Sequence, residues 1–503
     1  MLDTLSMSTQ LHTPSPSAAD VSRDPGKPYD WKTHDWKTML RGFAILLLVY
    51  AAVVYAIPKP LAIKPEGWRL TGLFVATIVG QMVEPIPGGA IVLLAVAIAS
   101  LIGGLTIDQA LAGYGDKTAW LVLAAFFISR ALLKTGLARR IALFFVRLFG
   151  KNSLGVCYAL AMSDCVLAGV IPSNGARTGG VILPIARSLS EIYGSEPGPT
   201  AGVFGAFLMA AIYQNACVTS AMFYTGQASN ALAARLAATG FGYQVTWASW
   251  FKAAFVPGVI SLLVVPWLVM RVMKPKVRYT PEAAEFAAKE LQAMGTPSGE
   301  EKILGLVFIA VCGLWMSSSW SNIDVTVTAL LGVLVLLVTG VLTWQDITKE
   351  YAGWSVFVWY GGLIRLGTAL NDTGVPKAFA QGVAGLFPGL GWIGLLALAL
   401  AVYYYAHYAF ASITTHILAM YPAFLAVLVV KGAPLGLAVF AFAIFANLSA
   451  AVTHYGTTPG PIIFAHGYVS RSKWWKAGLL ASLVNLAIWS TVGFAWWKLI
   501  GVW

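Results

Sequence analysis

The sequence predicts an all-α integral membrane fold of about 11 transmembrane helices and two re-entrant hairpins, laid out as two inverted repeats. Three observations carry this prediction: too few charges to coat a wetted surface, apolar runs of bilayer-spanning length, and a series of residues in the first half that returns in the second. Of the 503 residues, 58% are hydrophobic and 11% charged, with a mean hydropathy of +0.74. A soluble domain spends about 25% of its residues on charge. The apolar runs reach about 18–25 residues, the length that crosses roughly 30 Å of hydrocarbon. The net charge of +12 matches the Lys/Arg bias of cytoplasmic loops. With no basic run interleaved with aromatics, the expected surroundings are a lipid bilayer and not nucleic acid.

Residues 1–38, rich in Ser, Thr, Pro and Asp, read as a disordered cytoplasmic tail. The first apolar run begins near Met39, too far from Met1 for an ordinary signal peptide, and reads as an anchor. Membrane segments follow near 69–83, 88–105, 118–148, 153–190, 200–237, 249–272, 303–320, 324–342, 353–371, 392–430, 436–468 and 474–502. Two of these, 153–190 and 392–430, are too long for one crossing and carry polar residues at their middles. Irregular backbone at that depth survives only when buried in protein or lining a wet cavity, so each reads as a re-entrant hairpin. With the tail inside, the basic stretches Arg139–Lys151, Arg271–Arg278 and Arg471–Lys476 fall on the cytoplasmic side.

The basic linker 271–302 separates residues 39–270 (a first helix plus one repeat) from 303–503 (the second repeat). Thr106-Ile107-Asp108-Gln109, Gly115, Arg130 and Thr135-Gly136 return as Thr343-Trp344-Gln345-Asp346, Gly353, Arg365 and Thr373-Gly374. The hairpin interruptions at Ser173 and Ser412 and the Thr-bearing segments at Thr219 and Thr453 follow at nearly the same offset. An odd number of crossings turns the copies upside down relative to each other, and interrupted helices in inverted repeats mark the substrate sites of secondary transporters.

The first interruption reads Ile171-Pro172-Ser173-Asn174-Gly175-Ala176-Arg177-Thr178, the second His407-Tyr408-Ala409-Phe410-Ala411-Ser412-Ile413-Thr414-Thr415-His416. Each places hydroxyls at a turn and a basic residue four positions after the leading serine. Helix N-termini act as roughly +0.5 of a charge toward an anion, and hydroxyls and amides donate to carboxylates. Arg177 is the informative residue, because a charge at mid-membrane costs about 2.5–3.5 kcal/mol on insertion scales. Either it faces an anion or it pairs with Asp164 in the same hairpin. His416 either adds a second cation or is a neutral, hydrogen-bonded histidine. The segments Asn215–Gln227 and Asn447–Pro461 add Thr219, Thr225, Thr453, Thr457 and Thr458, with Gly and Pro that unwind helix.

No HExxH, GxSxG or Walker A motif is present, so no catalytic residues are expected. Gly389-Leu390-Gly391-Trp392-Ile393-Gly394 matches GxGxxG but lies between membrane segments without the strand and acidic residue a dinucleotide needs. Cys157, Cys165, Cys217 and Cys312 lie apart and read as buried thiols.

Ser173–Gly180, His407–Ser412, Thr453-His454-Tyr455-Gly456 and the end Gly467–Ser470 with Trp474-Trp475-Lys476 resemble the divalent anion/sodium symporter (DASS) family, over nearly the whole chain from about residue 39. They look most like its citrate/succinate, tartrate/succinate and 2-oxoglutarate/malate exchangers. The resemblance implies a homodimer with an elevator motion in a bacterial inner membrane. It also implies substrate contact at Ser173, Asn174 and Gly175 and at Ser412, Ile413 and Thr414. Gly175 stands where the family has threonine and Ile413 where it has asparagine. No cofactor is expected, with Na+ as the alternative, and a sodium-coupled symporter or an anion channel as alternative functions. The expected mechanism puts Arg177 and His416 where coupled cations sit in sodium-dependent relatives, so that the carrier crosses only when loaded and exchanges small carboxylate anions.

Overall fold

The computed structural model describes residues 36–61 and 63–503. The expected tail therefore lies almost wholly outside the described residues, and the first helix, Trp36–Ala51, starts three residues earlier than Met39. Regular structure among the described residues is helical, apart from one isolated bridge between Asn152 and Tyr279. Among the described residues, eight helices are long and apolar enough to cross a membrane, and Gly88–Leu101, Ser153–Ala168 and Val325–Val338 are shorter apolar ones. The exposed apolar side chains Leu47, Leu48, Ile309 and Val338 are what a lipid-facing surface requires.

After the first helix, one order of elements runs twice. Pro65–Val83, Gly88–Leu101, the short Ile107–Leu111 and Lys117–Thr135 are followed later by Gly299–Ser321, Val325–Val338, Trp344–Thr348 and Tyr351–Asp372. Both short helices open with a capping box, Thr106 with Gln109 and Thr343 with Asp346. Lys117–Thr135 packs on Val325–Val338 while Tyr351–Asp372 packs on Gly88–Leu101, the reciprocal contact that a two-fold relation produces.

The segment expected at 118–148 is two helices. Gly136, at φ +81°, ends the first in a left-handed turn that Cβ-bearing residues resist, and Gly374 at φ +78° does the same in the second copy. Beyond each lies an amphipathic helix, Leu137–Phe149 and Val375–Gly385. Leu137–Phe149 packs against Pro281–Ala293 in the linker, clamped by Arg139 to Glu290 (2.5 Å) and Arg140 to Glu301 (2.7 Å).

The centre of the molecule is formed by two broken segments. Gly205–Met222 is buried along its entire length and Leu435–Ser449 nearly so, the condition under which a helix can be apolar all round. They contact each other, and Asn447 Nδ2 donates to Asn230 Oδ1 (2.7 Å) from one segment to the other. Gly205–Met222 also holds the second break, Tyr213 donating to the Ala450 carbonyl (2.7 Å) and Gln214 to Ala451 (2.9 Å).

Candidate functional site

The first hairpin descends as Ser153–Ala168, loses its helix over 169–174, and restarts as Gly175–Ile182 in wide i→i+5 turns continuing into Leu183–Ile192. Ser173 Oγ accepts from the Ala176 N–H (3.2 Å) at the restart. Arg177 is fully buried. Its Nε donates to Asp164 Oδ1 (3.2 Å), Nη1 to the carbonyls of Ile171 (2.7 Å) and Gly226 (2.6 Å), and Nη2 to Ser220 Oγ (3.1 Å). Of the five guanidinium donors, four are thus engaged. Thr219 donates to Asp164 Oδ2, and Thr178 reaches Oδ1 at 3.5 Å. Two backbone breaks, at Ile171 and Gly226, expose carbonyls that helix would have consumed, and the guanidinium takes both. Carbonyls, a carboxylate and a hydroxyl make the kind of oxygen set that hard cations take; here a side chain fills it.

The pairing with Asp164 corrects the expected charge balance. Arg177 is not a free +1 facing an anion but half of a buried pair, the alternative that the sequence left open.

The second hairpin, Trp392–Ala406 and Ile413–Val430, turns through His407–Ala409 and Ser412. Ser412 Oγ caps the second limb, accepting from Thr415 N–H at 3.5 Å. His407 Nε2 lies 2.8 Å from the Gly456 carbonyl, and its Nδ1 2.9 Å from His416 Nδ1. A carbonyl only accepts, so His407 carries its proton on Nε2 and, when neutral, accepts at Nδ1; His416 is then the donor at Nδ1. With both rings neutral the bond between them is satisfied, and a proton added at His407 Nδ1 would set two N–H groups against each other. His416 is stacked between Tyr403 (4.2 Å) and Phe410 (5.0 Å), and its Nε2 has no partner among the described residues. His416 thus stands behind His407, hydrogen-bonded to it and not to a backbone break. Gly226 and Gly456 are the matching residues of the two broken segments. A Cβ on either would collide with the backbone six residues earlier, 2.8 Å from the Ser220 carbonyl and 2.3 Å from that of Ala450. In each repeat the carbonyl of this glycine accepts from a basic side chain of the hairpin.

Both tips meet one loop, 453–458. Asn174 Nδ2 donates to Thr457 Oγ1 (3.0 Å), while the second tip contributes His407 to Gly456 and receives Tyr455 OH at the Tyr408 carbonyl (2.9 Å). Gly175 faces Thr458: a Cβ there would lie 2.7 Å from the Thr458 methyl. Thr458, from the opposing repeat, thus occupies the space that a side chain at Gly175 would take. Thr458 is exposed, Ser173, Ser412 and Thr414 are half-buried, and Thr415 is buried beside Ser412. Asn174 Oδ1 and Thr453 Oγ1 are buried without partners among the described residues. Thr225 stands apart: it donates to the Gly169 carbonyl (2.6 Å) and accepts from Trp247 (3.1 Å), bracing the break. Sequence reasoning passed over His407, Ser220, Gly226 and Gly456, and also Gln227, whose Oε1 accepts from Asn174 N–H (3.2 Å). Glycine followed by a polar residue after tyrosine, Tyr224-Thr225-Gly226-Gln227 against Tyr455-Gly456-Thr457, was the available signal.

The family model described as the sodium:sulfate symporter transmembrane region matches residues 38–503. The chain belongs to this family, the divalent anion/sodium symporters. Among DASS relatives it is 43% identical to YflS of Bacillus subtilis (strain 168) over 91% of this chain and 96% of that one. It is 38% identical to dicarboxylate transporter 1, chloroplastic, of Arabidopsis thaliana, over 99% and 90% of the two chains. The spinach protein of the same name is 39% identical over 91% and 81%. The fold also matches the crystal structure of the Alcanivorax borkumensis YdaH transporter, described as having an unusual topology, with TM-score 0.53 over 95% of this chain and 99% of that one, at 14% identity. The DASS assignment makes this chain a multi-pass membrane transporter.

Proposed function

We propose that this chain exchanges di- or tricarboxylates across a bacterial inner membrane. One observation carries the reading: two hairpin tips of opposite repeats converge on the loop 453–458, and the oxygen set beside the first tip is filled by a guanidinium that cannot leave with the substrate. The names of the chloroplast relatives support the substrate class. On this reading the anion sits between the tips and accepts from the N-termini at Ser173 and Ser412 and from the hydroxyls of Ser173, Thr414 and Thr458, with Asn174 and Thr457 holding one tip to the loop. Arg177 positions rather than binds, by tying Asp164 to both breaks of the first repeat.

Exchange follows from hydrogen bonding rather than from net charge, since Asp164 neutralises Arg177. Polar groups left unpaired in a dry interior cost about 1–3 kcal/mol each, so an empty site resists crossing and a loaded one does not. The elevator motion, the homodimer and the cytoplasmic N-terminus complete the proposal. A sodium-coupled symporter is the second reading, favoured by the buried, unpartnered Asn174 Oδ1, an oxygen of the kind sodium takes.

Counterflow in proteoliposomes with malate, succinate, 2-oxoglutarate, citrate and tartrate tests the class. Saturable accumulation of label against at least one of these acids is expected. Planar-bilayer current that does not saturate with carboxylate would instead indicate a channel and overturn the reading.

A further inference from the structure

At one end of the long helix Trp247–Met273, a cavity of about 370 Å³ is lined by Met270, Arg271, Lys274 and Arg278. The three basic side chains are exposed, and no acidic residue among the described residues pairs with any of them. Their positions are held by backbone rather than by counter-charges. Lys274 ends the helix in a left-handed turn, its N–H donating to the Met270 carbonyl (2.9 Å). The Lys276 and Val277 N–H groups share the Val203 carbonyl, and Ser153 takes the Val277 carbonyl with its hydroxyl (2.6 Å) and that of Arg278 with its N–H (3.2 Å). Like charges fixed beside a cavity repel, and the helix end, at roughly −0.5 of a charge, offsets only a fraction of three cations.

The same helix says which anion. Leu263, Trp267, Met270, Arg271 and Lys274 recur at steps of three and four, one face of a helix. Leu263 and Trp267 are exposed, and Arg271 lies 4.7 Å over the Trp267 ring. An apolar track thus leads to an interfacial tryptophan and then to a basic cavity, the profile of an acyl chain, an interface and a phosphate. We propose that this cavity holds the headgroup of an anionic phospholipid, its phosphate on Arg271, Lys274 and Arg278 and an acyl chain along Trp267 and Leu263.

Full-length protein, exchanged through mixed phosphatidylglycerol and phosphatidylcholine micelles and read by native mass spectrometry, tests the site. Wild type is expected to retain phosphatidylglycerol at least about fivefold over phosphatidylcholine. The triple variant Arg271→Gln, Lys274→Gln, Arg278→Gln is expected to lose that preference, and Arg271→Gln alone to weaken it. The variant Lys473→Gln, Lys476→Gln, in another basic stretch, is expected to keep it. A monodisperse elution profile and an unchanged melting temperature in phosphatidylcholine certify each fold. Undiminished retention by the triple variant, or by Arg271→Gln if the triple variant does not fold, overturns the proposal. So does equal loss in the control variant, or complete displacement of the lipid by millimolar inorganic phosphate, which would make the cavity a site for free anions.

Discussion

Arg177 holds four oxygens from two pieces of chain, the first hairpin and the broken segment after it, so its removal acts on folding before it acts on transport. Arg177→Ala leaves Asp164 buried without its cation, a loss of about 3–5 kcal/mol. The double variant Arg177→Gln, Asp164→Asn removes both charges and is expected to melt above Arg177→Ala while transporting as poorly. A double variant as unstable as the single one would show that the charge pair is not what holds the tip. Gly175 makes a sharper test because its neighbour is known. Gly175→Thr drives a side chain into Thr458 and should reduce counterflow by about tenfold, a cost of about 1.4 kcal/mol. Adding Thr458→Ala should recover most of it, and failure of that rescue would contradict the packing described.

At the scale of elements, both hairpin tips were legible because hydroxyls, glycine and a charge inside an apolar run are expensive unless they are used. Arg177 with its alternative partner Asp164 stood out for that reason. The amphipathic helices were not legible: Leu137–Phe149 has three arginines among apolar residues that merge with the run before it, and only the φ of Gly136 separates them. Which histidine reaches the second break was equally hidden. Counting from the serines equates His416 with Arg177, whereas the fold brings His407 to Gly456 and puts His416 behind it. Gly456→Ala, with its Cβ 2.3 Å from the Ala450 carbonyl, should abolish counterflow; an active variant would deny that this loop is rigid. The short helix Trp344–Thr348 offers a pH test outside the membrane spans. Burial alone would raise the Asp346 carboxyl, but the Lys134 ammonium at 2.7 Å and hydrogen bonds from Thr343 outweigh it and hold it at about 2. A depressed carboxyl stabilises the fold above its ordinary value of about 4 and loses that contribution as pH falls toward its folded one. Wild type should therefore melt above Asp346→Asn at neutral pH, with the gap closing between pH about 4 and about 2. A gap independent of pH would assign the effect to packing.

For the whole molecule, two repeats bring both hairpin tips to one loop, and the breaks at Ile171, Gly226 and Gly456 leave carbonyls that a donor must satisfy. In this chain Arg177 and His407 do so from within the protein, and the proposed exchange accordingly separates carboxylate movement from any dissociable ion at those positions. That separation is the central claim. It is tested most directly by uptake of labelled dicarboxylate into proteoliposomes, either empty or preloaded with unlabelled dicarboxylate, with and without an inward sodium gradient. Rapid uptake into preloaded vesicles, little into empty ones, and indifference to sodium are the predicted results. Concentrative uptake into empty vesicles driven by the sodium gradient would contradict the account.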